Sequence, residues 1–230
     1  LHKHLAYALD EDLDDWTTPK VLHAVREVCT AGKHPQLTAL LTGSLPLERP
    51  APGLAWAQNW VQQAHLNARQ QDAVLLPFQR RLGLIEGPPG TGKTHVLAWM
   101  LIALILEAWH CGSPMRLAVS ALTHQAIDNL LAKVYDLLLS PFVSDFPGRC
   151  LKWGQRLSLT QEEDRLPLTY VDDAADILAA PYVILGATGF GLYQLFDSQA
   201  GAFPAFFDWV VLDEASQMPP ESALGALLRC

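Results

Sequence analysis

An apolar stretch, Leu82 to Glu86, runs into Gly87-Pro88-Pro89-Gly90-Thr91-Gly92-Lys93-Thr94, and a helical pattern extends from Lys93 to His110. The octet satisfies GxxxxGK[ST] between a strand and a helix, the setting in which that pattern holds phosphate. Glycines let successive backbone N–H groups turn inward on an anion, and the following helix adds the positive end of its dipole. Lys93 is expected to reach the outer phosphates of a nucleoside triphosphate, and Thr94 to hold Mg2+ through its hydroxyl.

A phosphate loop of this kind needs an acidic element elsewhere. Trp209-Val210-Val211-Leu212 supplies it as an apolar strand ending in Asp213-Glu214. Asp213 is expected to complete the Mg2+ shell through water, because Mg2+ dehydrates reluctantly. Glu214, one residue on, suits a general base that polarises the attacking water.

Helices are expected at 54–65, 67–78, 93–110 and 123–139, and strands at Leu82–Glu86, Leu117–Ala121, Cys150–Trp153, Tyr182–Ala187 and Trp209–Leu212. Strands alternating with helices imply a parallel sheet covered on both faces, a three-layer α/β domain. Residues 1–53 read differently. They carry an acidic patch at Asp10, Glu11, Asp12, Asp14 and Asp15, helical stretches near 19–30 and 36–41, and a breaker-rich linker, LPLERPAPG. The expected division is an accessory or stalk segment over 1–53 and an ATPase domain over 54–230.

Asp213-Glu214-Ala215-Ser216-Gln217 resembles the DEAxQ box of superfamily 1 helicases, in the branch of the nonsense-mediated-decay RNA helicase and the replication helicase-nuclease. Leu66-Asn67-Ala68-Arg69-Gln70-Gln71-Asp72-Ala73-Val74 is similar to that branch's Q motif, LNxxQxxAV. The resemblance implies a first RecA-like domain with ATP and Mg2+ as cofactors, and it adds Gln217 to the catalytic set of Lys93, Asp213 and Glu214. The Gln70 carboxamide suits pairing with adenine, whose edge offers one donor and one acceptor. The nucleotide contacts implied are Gln70, Gly87, Pro88, Pro89, Gly90, Thr91, Gly92, Lys93 and Thr94, with Thr94 and Asp213 toward the metal.

Two further segments resemble the motifs that grip a single strand. Thr123 and His124 stand where motif Ia has a Ser-Asn pair, and Thr188 ends a strand similar to motif Ic. All three are candidate nucleic-acid contacts, although Thr123 also reads as a helix N-cap. Lys152 falls where relatives carry an Arg-containing strand and reads equally as a solvated lysine. The implied partners are single-stranded DNA or RNA and a second RecA-like domain. Residues 121–130 also resemble bacterial members fused to a RecB-like nuclease, which adds that nuclease as an expected partner in the parent chain.

Composition narrows the alternatives. Net charge is −8, which argues against coating nucleic acid through a general surface field. The basic excess is local, with five bases against three acids over residues 61–120. That charge leaves open a second function, a nucleotide-gated P-loop module acting on a protein partner. Cys29, Cys111, Cys150 and Cys230 form no CxxC pair, so zinc, iron–sulfur and disulfide frameworks lack support, and a reducing cytoplasm is expected. The longest apolar run, Val96 to Leu106, is too short to span a bilayer, so no membrane partner is expected. The chain starts at Leu1 and stops soon after the acidic box, which reads as a piece of a longer protein, nearly inactive in hydrolysis by itself.

Overall fold

The computed structural model describes residues 18–30, 32–49, 53–143, 145–154, 168–195 and 205–230. The acidic patch of residues 10–15 lies outside them. Among the described residues five strands form one all-parallel sheet in the order β3-β2-β4-β1-β5. They are β1 (Met115–Ser120), β2 (Arg149–Trp153), β3 (Thr169–Val171), β4 (Tyr182–Gly186) and β5 (Trp209–Leu212). The result is an α/β architecture with helices on both faces, consistent with a RecA-like P-loop domain.

Side chains alternate along each strand, so one strand feeds two cores. Leu117, Val119, Cys150, Ile184 and Val211 face the first. That core is covered by α3 (Leu54–Val61), α4 (Ala68–Leu75), α5 (Lys93–His110) and α6 (His124–Leu138). Ala118, Leu151, Val183 and Leu185 face the second, beneath α7 (Ala174–Leu178), α8 (Gly189–Tyr193) and α9 (Pro220–Leu227).

Helix α5 is apolar almost all the way round, and twelve of its 18 residues are buried. A helix of that composition must be enclosed on several sides. The sheet lies on one flank, while α4, α6 and an aromatic cluster occupy the others. Trp60 stacks on Trp56 with centroids 5.8 Å apart and meets Trp99 edge-on at 5.3 Å, and Phe142 closes on Trp99 at 5.3 Å. These three tryptophans, at helical spacings on α3 and α5, pack against one another. Trp109, at the end of α5, is 40% exposed and touches His110.

The expected strand over Leu82–Glu86 is not formed. Residues 83–88 have no regular structure and Leu84 is 86% exposed. A strand needs a ladder partner, and β5, at the sheet's edge, pairs only with β1 among the described residues. Strand β3 and helices α7, α8 and α9 are additions that the sequence pattern did not reveal.

The N-terminal helices α1 (Thr18–Cys29) and α2 (Pro35–Leu41) share a small core with α8 and α9, where Ala24 and Leu37 meet Tyr193 and Leu228. The linker after them is pinned as well. Glu48 bridges Arg80 in antiparallel fashion, and the Arg49 guanidinium lies 5.0 Å from the Trp209 ring centre.

Candidate functional site

The phosphate-loop octet winds into the first turn of α5. Gly90 and Gly92 sit at φ +80° and +84°, backbone that L side chains rarely adopt, so glycine at both is a geometric requirement. Thr91 closes the turn by donating its hydroxyl to the Pro88 carbonyl at 2.8 Å. The Lys93 ammonium curls back over the same loop, donating to the Gly87 carbonyl at 2.6 Å and to that of Pro88 at 3.2 Å. Lys93 therefore sits inside the cradle formed by its own loop.

Gln70 is brought to the loop by α4. Asn67 caps that helix, accepting from the Gln70 N–H, and the Gln70 Oε1 accepts from the Asn67 N–H, both at 3.0 Å. This reciprocal capping box satisfies two otherwise orphaned donors at the helix start. The Gln70 Nε2 then donates to the Thr91 carbonyl at 3.3 Å. One carboxamide thus joins the Q-like segment to the phosphate loop.

Asp213 follows the last residue of β5 and is 7% exposed. Its carboxylate accepts from the Glu214 N–H at 2.9 Å and makes no ion pair among the described residues. Burial pushes its pKa up, the neighbouring Glu214 carboxylate adds to the rise, and the Lys93 ammonium opposes it. The strand end and the phosphate loop are therefore close enough to feel each other's charge. A buried carboxylate with no cation bonded to it has the donor chemistry that a divalent metal takes. Glu214 adopts a left-handed φ of 52°, rare for a residue with a side chain. Its carboxylate is exposed, as are Ala215, Ser216 and Gln217 in the short 3-10 turn that follows.

The expected nucleic-acid contacts cluster along the same carboxyl edge of the sheet. Thr123 is the N-cap of α6, its Oγ1 accepting from the Ala126 N–H at 3.2 Å, and His124 is exposed beside it. Thr188 caps α8 in the same way, accepting from the Gly191 N–H at 3.1 Å. Strands β1 and β4 are paired neighbours, with Val119 opposite Gly186, so the two threonines leave adjacent strands.

One sequence reading is corrected. Lys152 is not a solvated lysine, being 6% exposed with its ammonium held by both oxygens of Asp128. Arg229, near the end of the sequence, is fully buried, with Nε and Nη2 donating to the Leu192 carbonyl. Burial lowers its pKa to about 10. The sequence reading also passed over Asp128, whose polarity on the inner side of α6 is a signal of a buried partner. Among the described residues no group of His, Cys, Asp and Glu side chains forms a metal cluster, and no helix is long and apolar enough to cross a membrane.

Residues 65–167 match the family model of an AAA domain. The stretch runs from the residue before the Q-like segment through the phosphate loop and α6. The ATP-dependent helicase NAM7 of Saccharomyces cerevisiae is 45% identical over 74 residues, 32% of this chain and 7% of that protein. The DNA replication ATP-dependent helicase/nuclease DNA2 of the same yeast is 28% identical over 171 residues, 70% of this chain and 10% of that protein. The DNA polymerase alpha-associated DNA helicase A of Schizosaccharomyces pombe is 37% identical over 70 residues, 30% of this chain and 10% of that protein. The chain spans a tenth or less of the length of these relatives. The similarity is that of part of a helicase-like AAA domain, which implies nucleotide binding.

Proposed function

We propose that this chain is the ATP-binding half of a superfamily 1 helicase or translocase, coupling ATP hydrolysis to movement on single-stranded DNA or RNA. The observation that carries the reading is the Gln70 carboxamide bonded to the Thr91 carbonyl at 3.3 Å, which seats the Q-like segment on a phosphate loop whose Lys93 ammonium lies 2.6 Å from the Gly87 carbonyl. In this reading Gly87 to Thr94 wrap the phosphates and Gln70 meets adenine. Lys93 exchanges its two loop carbonyls for phosphate oxygens. Thr94 and Asp213 hold Mg2+, which when bound neutralises the charge that develops on the phosphates. Glu214 takes a proton from the attacking water, and Gln217 orients that water beside it. Thr123, His124 and Thr188 grip the single strand.

The assignment of residues 1–53 as an accessory segment and 54–230 as the ATPase unit belongs to the same reading. So do a second RecA-like domain facing Lys93 and a nuclease fused in the parent chain. An arginine from that second domain accelerates hydrolysis in P-loop enzymes by about 10³ to 10⁵. The only arginine after Gln217 in this sequence is the buried Arg229. The 230 residues alone are therefore expected to bind Mg-ATP weakly, turn it over near background and separate no duplex.

The test is a phosphate-release assay with saturating single-stranded DNA or RNA, run beside strand separation on a tailed duplex. Robust stimulated turnover by the monomer overturns the half-site reading. The net charge of −8 favours a second reading, a nucleotide-gated module for a protein partner. Oligonucleotide binding that weakens steeply with salt excludes it, because phosphate contacts release counterions.

A further inference from the structure

We propose that Phe190 is a base-stacking residue, the apolar floor between the phosphate contacts of the single-strand track. The inference rests on the helicase reading above and adds to it a residue that recognises bases.

In the five-residue helix α8 the side chains of Leu192 and Tyr193 are buried, as are Gly189 and Gly191, whereas Phe190 is 41% exposed. Both glycines meet close neighbours. A Cβ on Gly189 would come within 2.2 Å of the Ser222 carbonyl oxygen, and one on Gly191 within 3.1 Å of the Trp153 ring. The helix is held on its inner side, and the large group it offers outward is an aromatic ring with no ring partner among the described residues. Leu122 is likewise exposed, at 43%, where the chain leaves β1 beside β4. Two apolar groups therefore stand at the carboxyl edge of adjacent strands, each next to a capping threonine.

The threonines explain why the occupant is a nucleic-acid strand. Each accepts a backbone N–H as a cap, which uses a lone pair and leaves the hydroxyl proton to donate outward to an anionic oxygen. Residues 119–127 and 182–192 contain no Asp or Glu in a chain of net charge −8. The nearest carboxylate on α6, Asp128, is matched by Lys152. The segments leaving β1 and β4 carry no acid of their own, the carboxylates of Asp213 and Glu214 standing on the β5 side of β1, and their paired hydroxyl donors beside a solvent-facing aromatic ring are the two components of single-strand binding, donors that track the backbone and a π-face on which a base lies.

The test uses the whole 230-residue chain and fluorescence anisotropy of a labelled oligothymidylate, compared with a strand of equal length carrying abasic sites, across a salt series. Wild type is expected to bind the thymidylate with a steep salt dependence and to prefer it to the abasic strand. Phe190→Ala should weaken thymidylate binding roughly 5- to 150-fold. It should keep the salt slope, bind the abasic strand as wild type does and melt at the wild-type temperature. Phe190→Trp should restore the preference for bases. Thr188→Val, in contrast, should weaken both strands alike. Unchanged thymidylate binding by Phe190→Ala, or an equal loss on both strands, overturns the stacking role while leaving the helicase reading in place. Absence of salt-dependent binding by wild type itself overturns both.

Discussion

Both carboxylate oxygens of Asp128 hold the Lys152 ammonium, at 2.5 and 2.6 Å, and so tie α6 to β2 beneath the strand edge. The lysine side chain is 8% exposed and that of the aspartate 22%. Removing one partner leaves a desolvated charge, which costs about 3 to 5 kcal/mol in buried pairs. Asp128→Ala should therefore lower the urea midpoint sharply. The double change Asp128→Leu with Lys152→Met should recover most of the loss, because it removes the buried charge together with its partner.

Lys93→Ala should abolish measurable ATP binding by calorimetry, since it deletes the cation aimed at the outer phosphates. The fold should survive, because the lysine's two hydrogen bonds go to carbonyls of its own loop. Equal affinity in wild type and variant would overturn the phosphate-loop assignment.

Gln70→Ala should show two separable effects. Loss of the reciprocal cap should cost about 1 kcal/mol of stability, seen in chemical denaturation. Loss of the carboxamide should erode discrimination between ATP and GTP while sparing the phosphate contacts. Gln70→Glu is the sharper probe, since it keeps an acceptor for the Asn67 N–H but has no N–H to give to adenine. A wild type that binds both nucleotides equally assigns Gln70 to structure alone.

The Asp213 carboxyl titrates above its ordinary value because burial disfavours its charge. The folded state then holds a proton that the unfolded chain releases, so this group's contribution to stability falls as pH rises through that interval. Asp213→Asn keeps an Oδ1 acceptor for the Glu214 N–H and removes the buried charge. It should raise the melting temperature at neutral pH, with the gain shrinking as the pH falls through the raised pKa. ATP turnover measured in the parent protein should be lost at the same time. A variant that melts below wild type at pH 7 contradicts the assignment of burial as the dominant cause.

Much of this was legible because chemistry and periodicity agree locally. Helix α5 has the expected bounds, and β5 lies where an apolar run ends in two carboxylates. The strand expected before the phosphate loop failed because a strand is a pairwise object, and Leu84 has the composition without the ladder. Strand β3 is three residues long, and α7 and α8 are five each, too short for any period to register. Lys152 and Asp128 are 24 positions apart, so their union was visible only once α6 lay across β2.

Helices α8 and α9 touch backbone to backbone. A Cβ on Gly225 would stand 2.7 Å from the Gly189 carbonyl oxygen, and one on Gly189 would strike Ser222. The Tyr193 ring lies over Gly225, and its hydroxyl donates to the Glu221 carbonyl at 2.7 Å, so the pair is fastened at two points and forms a strut. One end of the strut begins just past Gln217 and the other at Thr188. Between the acidic box and the helix that Thr188 caps there is thus close-packed backbone rather than loose side chains.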